Sequence, residues 1–109
     1  MDSFSVRCAF LWERRDDQKL DYLYEERITL WQAEGIDAAI ELAESEARSY
    51  AENSSEYLGY SEAFALFEPV NASGVEVFSL LRESDLPPRA FLDAFFDTGR
   101  ERQQTWSGG

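Results

Sequence analysis

Residues 22–31 read YLYEERITLW, and the fold turns on how that stretch is folded. Its ends carry the aromatic and β-branched residues favoured in strands, whereas its middle holds Glu25, Glu26 and Arg27. Along a strand, successive side chains point to opposite faces. Alternation therefore splits the three charges. Glu25 and Arg27 share a face with Leu23, Thr29 and Trp31, and Glu26 shares one with Tyr24, Ile28 and Leu30.

Working outward, residues 4–13, FSVRCAFLWE, alternate in the same way. Phe4, Val6, Cys8, Phe10 and Trp12 form an apolar parity, which places Cys8 and Trp12 in the core. Residues 14–21, RRDDQKLD, are polar and charged and read as a loop. The two strands, 4–13 and about 22–33, are expected to form an antiparallel hairpin with a wide, mobile tip. At Gly35 the period changes. Ile36, Ala39, Ile40, Ala43, Ala47, Tyr50 and Ala51 recur at spacings of three and four, an apolar helical stripe. Gly35 serves as N-cap, Asp37 suits the positive end of the helix dipole, and the helix ends near Glu52. The alanines imply close approach to a sheet.

Residues 57–70 read as a third strand, 71–74 (NASG) as a turn, and 75–82 (VEVFSLLR) as a fourth strand closing a second hairpin. Pro87 and Pro88 fit the start of a short helix, about 87–97, with Phe91, Leu92, Phe95 and Phe96, and with Gly99 as its stop. Residues 98–109 are expected to be a disordered tail, from which Trp106 can dock. The order β-β-α-β-β-α predicts one α+β domain over 1–97, two-layered, with a four-stranded antiparallel sheet and its helices on one face.

These residues resemble a family of small bacterial proteins known chiefly as a domain of unknown function. The strand ending in FLWE, the block YLYEERITLWQAEG, the helix segment ELAESEA and the strand beyond carry the resemblance over about residues 3–82. Its most specific element is LYEERITL, residues 23–30. The resemblance implies a bacterial, cytoplasmic, single-domain protein and transfers no role to any position.

Composition bounds the chemistry. The chain has 109 residues, 44% of them hydrophobic, with one cysteine and no histidine. Histidine-activated nucleophiles, histidine metal sites and an intrachain disulfide are thereby excluded. No glycine-rich phosphate loop or calcium loop is present, and no cofactor, metal or catalytic residue is expected. The first residues, MDSFSVR, do not read as a secretory leader, and no apolar run suggests a membrane span, so a cytoplasmic location is expected. Against 10 basic residues stand 22 acidic ones, a net charge of −12, which disfavours nucleic acid and anionic membrane as partners. Between Glu34 and Glu68 lie nine acidic residues and a single basic one, Arg48.

Three function classes follow. The first is a non-enzymatic acidic interaction protein, immunity- or inhibitor-like, docking a basic protein through Glu25, Arg27, Trp31, Glu41 and Glu44. Exposed Trp and Arg are the residue types that dominate binding hot spots. The second is a small-ligand protein or carboxylate enzyme built on Glu26, whose place among Tyr24, Ile28 and Leu30 makes it a candidate for a shifted carboxylate. The third is a structural homodimer joined through Phe91, Phe95 and Phe96. For each set a plain structural role competes: a solvated strand face, a satisfied charge, or core.

Overall fold

The computed structural model describes residues 1–96. The expected tail at 98–109, the stop at Gly99 and Trp106 lie outside the described residues. The elements are β1 (Asp2–Trp12), β2 (Tyr22–Ala33), α1 (Ile36–Tyr50), β3 (Ser55–Ala65), β4 (Ser73–Ser84) and α2 (Pro88–Phe95). The α+β class and the four-stranded antiparallel sheet are as the sequence predicts. The strand order is β3-β1-β2-β4.

That order corrects the second hairpin. β3 and β4 do not pair; they are the two edges, beside β1 and β2 respectively. Three inter-strand spacings, about 14 Å, separate the edges, and the seven-residue link 66–72 is long enough to span them. Ser3 guides it past the end of β1. Its carbonyl accepts from the Leu66 N–H at 2.8 Å, its hydroxyl accepts from the Val70 N–H at 2.7 Å, and that hydroxyl donates to the Val70 carbonyl at 3.2 Å. β3 therefore ends at Ala65 rather than at Val70.

The hairpin β1–β2 runs in register from Asp2 opposite Ala33 to Trp12 opposite Leu23. Its tip is tied down. Lys19 and Leu20 donate their N–H groups to the Glu83 carboxylate, both at 2.8 Å, and Asp21 donates to Asp85 at 3.0 Å. Gln18 is buried within the loop and donates to the Leu20 carbonyl.

α1 packs its alanine stripe, Ala39, Ala43, Ala47 and then Ala51, onto Phe4, Val6, Cys8, Phe10, Trp31 and Ala33. Small side chains let the helix backbone lie close to the sheet, as the sequence implies. α2 lies on the other face, correcting the expectation that both helices share one. There Phe91, Leu92 and Phe96 pack with Ala9 and Tyr24, and Phe91 stacks on Tyr24 at a centroid distance of 3.8 Å. The Tyr24 hydroxyl donates to the Leu86 carbonyl at 2.6 Å, fastening the approach to α2. The helix ends at Phe95, because Phe96 is already extended while its N–H still donates to the Leu92 carbonyl.

Both faces of β2 are thus used. This follows from the pairing: Phe4, Val6, Cys8 and Phe10 stand opposite Trp31, Thr29, Arg27 and Glu25. The most apolar parity of β1 shares its face with the charged parity of β2. α1 covers both.

Candidate functional site

Under α1, Glu25 is 3% exposed and, among the described residues, receives neutral donors. Trp12 donates its indole N–H at 3.0 Å, Tyr50 donates its hydroxyl to the two carboxylate oxygens at 2.9 and 2.8 Å, and Ser79 also donates. A carboxylate needs several such donors when water is excluded. Burial first, and then the neighbouring Glu25, push the Tyr50 phenol up to about 12.

Arg27, one strand position pair further, is 7% exposed. It forks onto Glu46 of α1 at 2.6 and 2.9 Å and reaches Glu76 of β4 at 2.5 Å. Its guanidinium lies 3.8 Å from the centre of the Tyr50 ring. Burial alone would lower its basicity, but the two carboxylates outweigh that and raise it.

On the α2 side the charges form a line across all four strands. Glu62 of β3 meets Arg7 of β1 at 2.7 Å, Arg7 meets Glu26 of β2, and Glu26 meets Arg82 of β4 at 2.6 Å. Signs alternate along the line. Glu26 is 6% exposed and each of its oxygens is held by a guanidinium. Arg7 also lies 3.6 Å from the Phe96 ring centre and donates to the Phe95 carbonyl, while Arg82 sits 4.4 Å from the Phe95 ring centre. The line therefore doubles as the bed on which α2 ends.

These positions correct the interaction face expected from sequence. Glu25, Arg27 and Trp31 are not outward; all three lie beneath α1. Trp31 is core, its indole N–H donating to Thr29 at 2.7 Å. Glu41 is exposed on α1, while Glu44 is half-buried and accepts from Tyr57 at 2.8 Å. The five residues do not form one surface. The reason is the hairpin register: alternation sorts side chains into two sets without saying which set a helix covers. Phe91 and Phe96 are likewise buried within their own chain, which removes them from a dimer face; Phe95 alone of the three is exposed.

Glu26 is buried as its apolar neighbours suggest, but neither oxygen is presented to a ligand. Two hollows near the hairpin loop, of about 300 and 350 Å³, contain neither Glu26 nor Glu25. Among the described residues, no group of three or more Cys, Asp and Glu is placed to hold a metal ion. No described helix is long and apolar enough to cross a membrane. Cys8 is buried, and burial pushes its thiol up to about 12.

Sequence reasoning missed the feature that stands out most on the surface. β4 is an edge strand whose Val75, Val77, Phe78, Leu80 and Leu81 are all exposed. The signal was present in VEVFSLLR, which is apolar on both parities rather than one.

No family model matches the chain, and neither a curated protein nor a solved structure matches it.

Proposed function

We propose that the chain is a small, acidic, non-enzymatic binding module of the bacterial cytoplasm, immunity- or inhibitor-like, that docks a basic protein through the outer surface of α1 and its flanks. The observation that carries this reading is how the acidic block divides. Glu44, Glu46 and Glu62 bond to Tyr57, Arg27 and Arg7 inside the fold. Glu34, Asp37, Glu41, Glu52, Glu56 and Glu68 are exposed, with Arg48 as the basic residue among them. Internal hydrogen bonds and ion pairs thus consume part of the block, and of the rest Glu34, Asp37, Glu41 and Glu52 face water on α1 or at its ends. Such a surface raises the encounter rate with a cationic partner and gives salt-sensitive binding. Catalysis by Glu26 forms no part of the proposal, since two guanidinium groups occupy its oxygens.

The test is affinity capture from a bacterial lysate at low and at raised salt, repeated with the combined variant Asp37→Asn, Glu41→Gln, Glu52→Gln. A dominant basic protein that is lost with salt and with the variant is expected. Capture of nothing at low salt, or capture indifferent to both changes, overturns the reading.

A further inference from the structure

We propose that β4 is a self-pairing edge: two copies of the chain join antiparallel along it about a two-fold axis normal to the sheet, making one eight-stranded sheet in the order β3-β1-β2-β4-β4-β2-β1-β3. This stands independently of the acidic docking surface, which lies around α1.

An edge strand offers a row of backbone groups for pairing, and proteins usually blunt such edges with charge, proline, bulges or cover. β3, the other edge, shows two of these devices. Its pairing with β1 is broken between Cys8 and Phe10, Gly59 there adopts φ 79°, and Glu56 and Glu62 sit along it. β4 has register shifts of its own, between Ile28 and Thr29 and between Leu30 and Trp31, but both fall before Phe78. Its register with β2 is unbroken from Tyr22 opposite Ser84 to Ile28 opposite Phe78, which leaves a regular outer edge.

The side chains beside that edge are apolar on both faces of the sheet. Phe78 and Leu80 are 47% and 42% exposed on the α2 side, and Leu81 is 41% exposed on the α1 side beside Glu25. Val77, at the register shift, is 53% exposed. A helix laid on the sheet would cover one face. A strand added at the edge covers both.

Charge then selects the occupant. β4 carries three charged side chains, and each is already satisfied within its own chain. Glu76 is held by Arg27 at 2.5 Å, Arg82 by Glu26 at 2.6 Å, and Glu83 by two backbone N–H groups at 2.8 Å. A basic partner would find no unmatched carboxylate on the strand. A second β4 meets an apolar strand equivalent to itself, with no unmatched charge to repel it, and the net charge of −12 stays on more distant surfaces. An isologous contact of this kind closes at two copies, because pairing consumes the edge on both.

Sedimentation of the full chain over a wide concentration range tests this, together with Val77→Lys and Leu81→Lys and with Leu42→Lys, at an exposed α1 position, as control. The wild-type chain and the control are expected at twice the chain mass of 12.5 kDa. Each β4 variant should weaken the dimer at least about tenfold while keeping its far-UV circular dichroism. Hydrogen exchange of the wild type supplies a readout independent of the variants, with β4 amides gaining protection as concentration rises. A wild-type chain of single mass throughout overturns the proposal. With protected β4 amides, that result assigns the edge to the chain's own continuation beyond Phe96; with unprotected amides, it leaves the edge to a different protein. Dimers that persist in both β4 variants overturn it as well.

Discussion

Tyr50, at the last turn of α1, donates its hydroxyl to both oxygens of Glu25 in the middle of β2. This contact ties the C-terminal end of the helix to the sheet through a carboxylate that has no cation partner among the described residues. Tyr50→Phe removes a donor from a buried charge, and a loss of about 1–3 kcal/mol is expected, read from denaturant midpoints.

The same pair makes a prediction at high pH. The folded phenol titrates near 12, above its ordinary value of 10. A proton-binding group raised in the folded state stabilises below its unfolded pKa, and that contribution fades as pH climbs from about 10 through 12. Absorbance titration should show tyrosines that ionise late, Tyr24 and Tyr57 among them, and Tyr50→Phe should remove one of these and lessen the fall in stability across that window.

Cys8 offers a second probe. Burial holds its thiol up to about 12. Its contribution to stability is therefore intact at neutral pH and lost as pH rises from about 9 towards 12, by the same sign of linkage. Near pH 8, labelling by a thiol reagent should be at least about 10³-fold slower in the native chain than in denaturant, because reaction must await opening. Rapid labelling of the native chain would contradict the packing of α1 on β1.

Arg7 and Glu26 form the centre of the line of alternating charges. Arg7→Met should cost about 3 kcal/mol, since it leaves a buried carboxylate with half its counter-charge. Adding Glu26→Gln should recover about 1–2 kcal/mol of that loss. A thermodynamic cycle over the two single variants and the double variant reads the coupling directly; additive effects would rule it out.

Two glycines separate backbone strain from crowding. Gly59 and Gly74 both have positive φ, 79° and 73°. An added methyl group meets nothing within 4 Å at Gly59 but comes within 3.0 Å of the Trp31 ring at Gly74. Gly59→Ala should cost about 1 kcal/mol for the left-handed backbone alone. Gly74→Ala should cost about 1 kcal/mol more, for displacing a core indole. Equal costs would show that the ring gives way freely.

Much of this architecture is legible in the sequence, for reasons that differ by element. β1 and α1 announce themselves by period, because one face of each is uniformly apolar or small. β2 is legible as a strand, and its charges do divide as alternation requires. What alternation leaves open is which set lies under α1. That depends on the hairpin register, which places Phe10 opposite Glu25 and Cys8 opposite Arg27. The partners of the buried charges are distant in sequence, Glu46 and Glu76 for Arg27, and Arg82 for Glu26, so local pattern cannot reveal them. The separation of β3 from β4 was hidden for a similar reason. NASG has the chemistry of a turn, but Ser3, near the start of the chain, steers the link across the sheet.

The register of β1 against β2 has a consequence for folding fidelity. Slipping the hairpin by one residue would turn β2 over, carrying Glu26 beneath α1 and Arg27 to the side of Arg7 and Arg82. Glu46 and Glu76 would then lose Arg27 and gain Glu26 as a like-charged neighbour, while Glu26 would lose both of its guanidinium partners. Like the wards of a lock, Glu25, Glu26 and Arg27 admit one alignment of the strands and turn away its nearest impostor. The test of alignment comes when α1 and β4 bring Glu46, Glu76 and Arg82 to these charges.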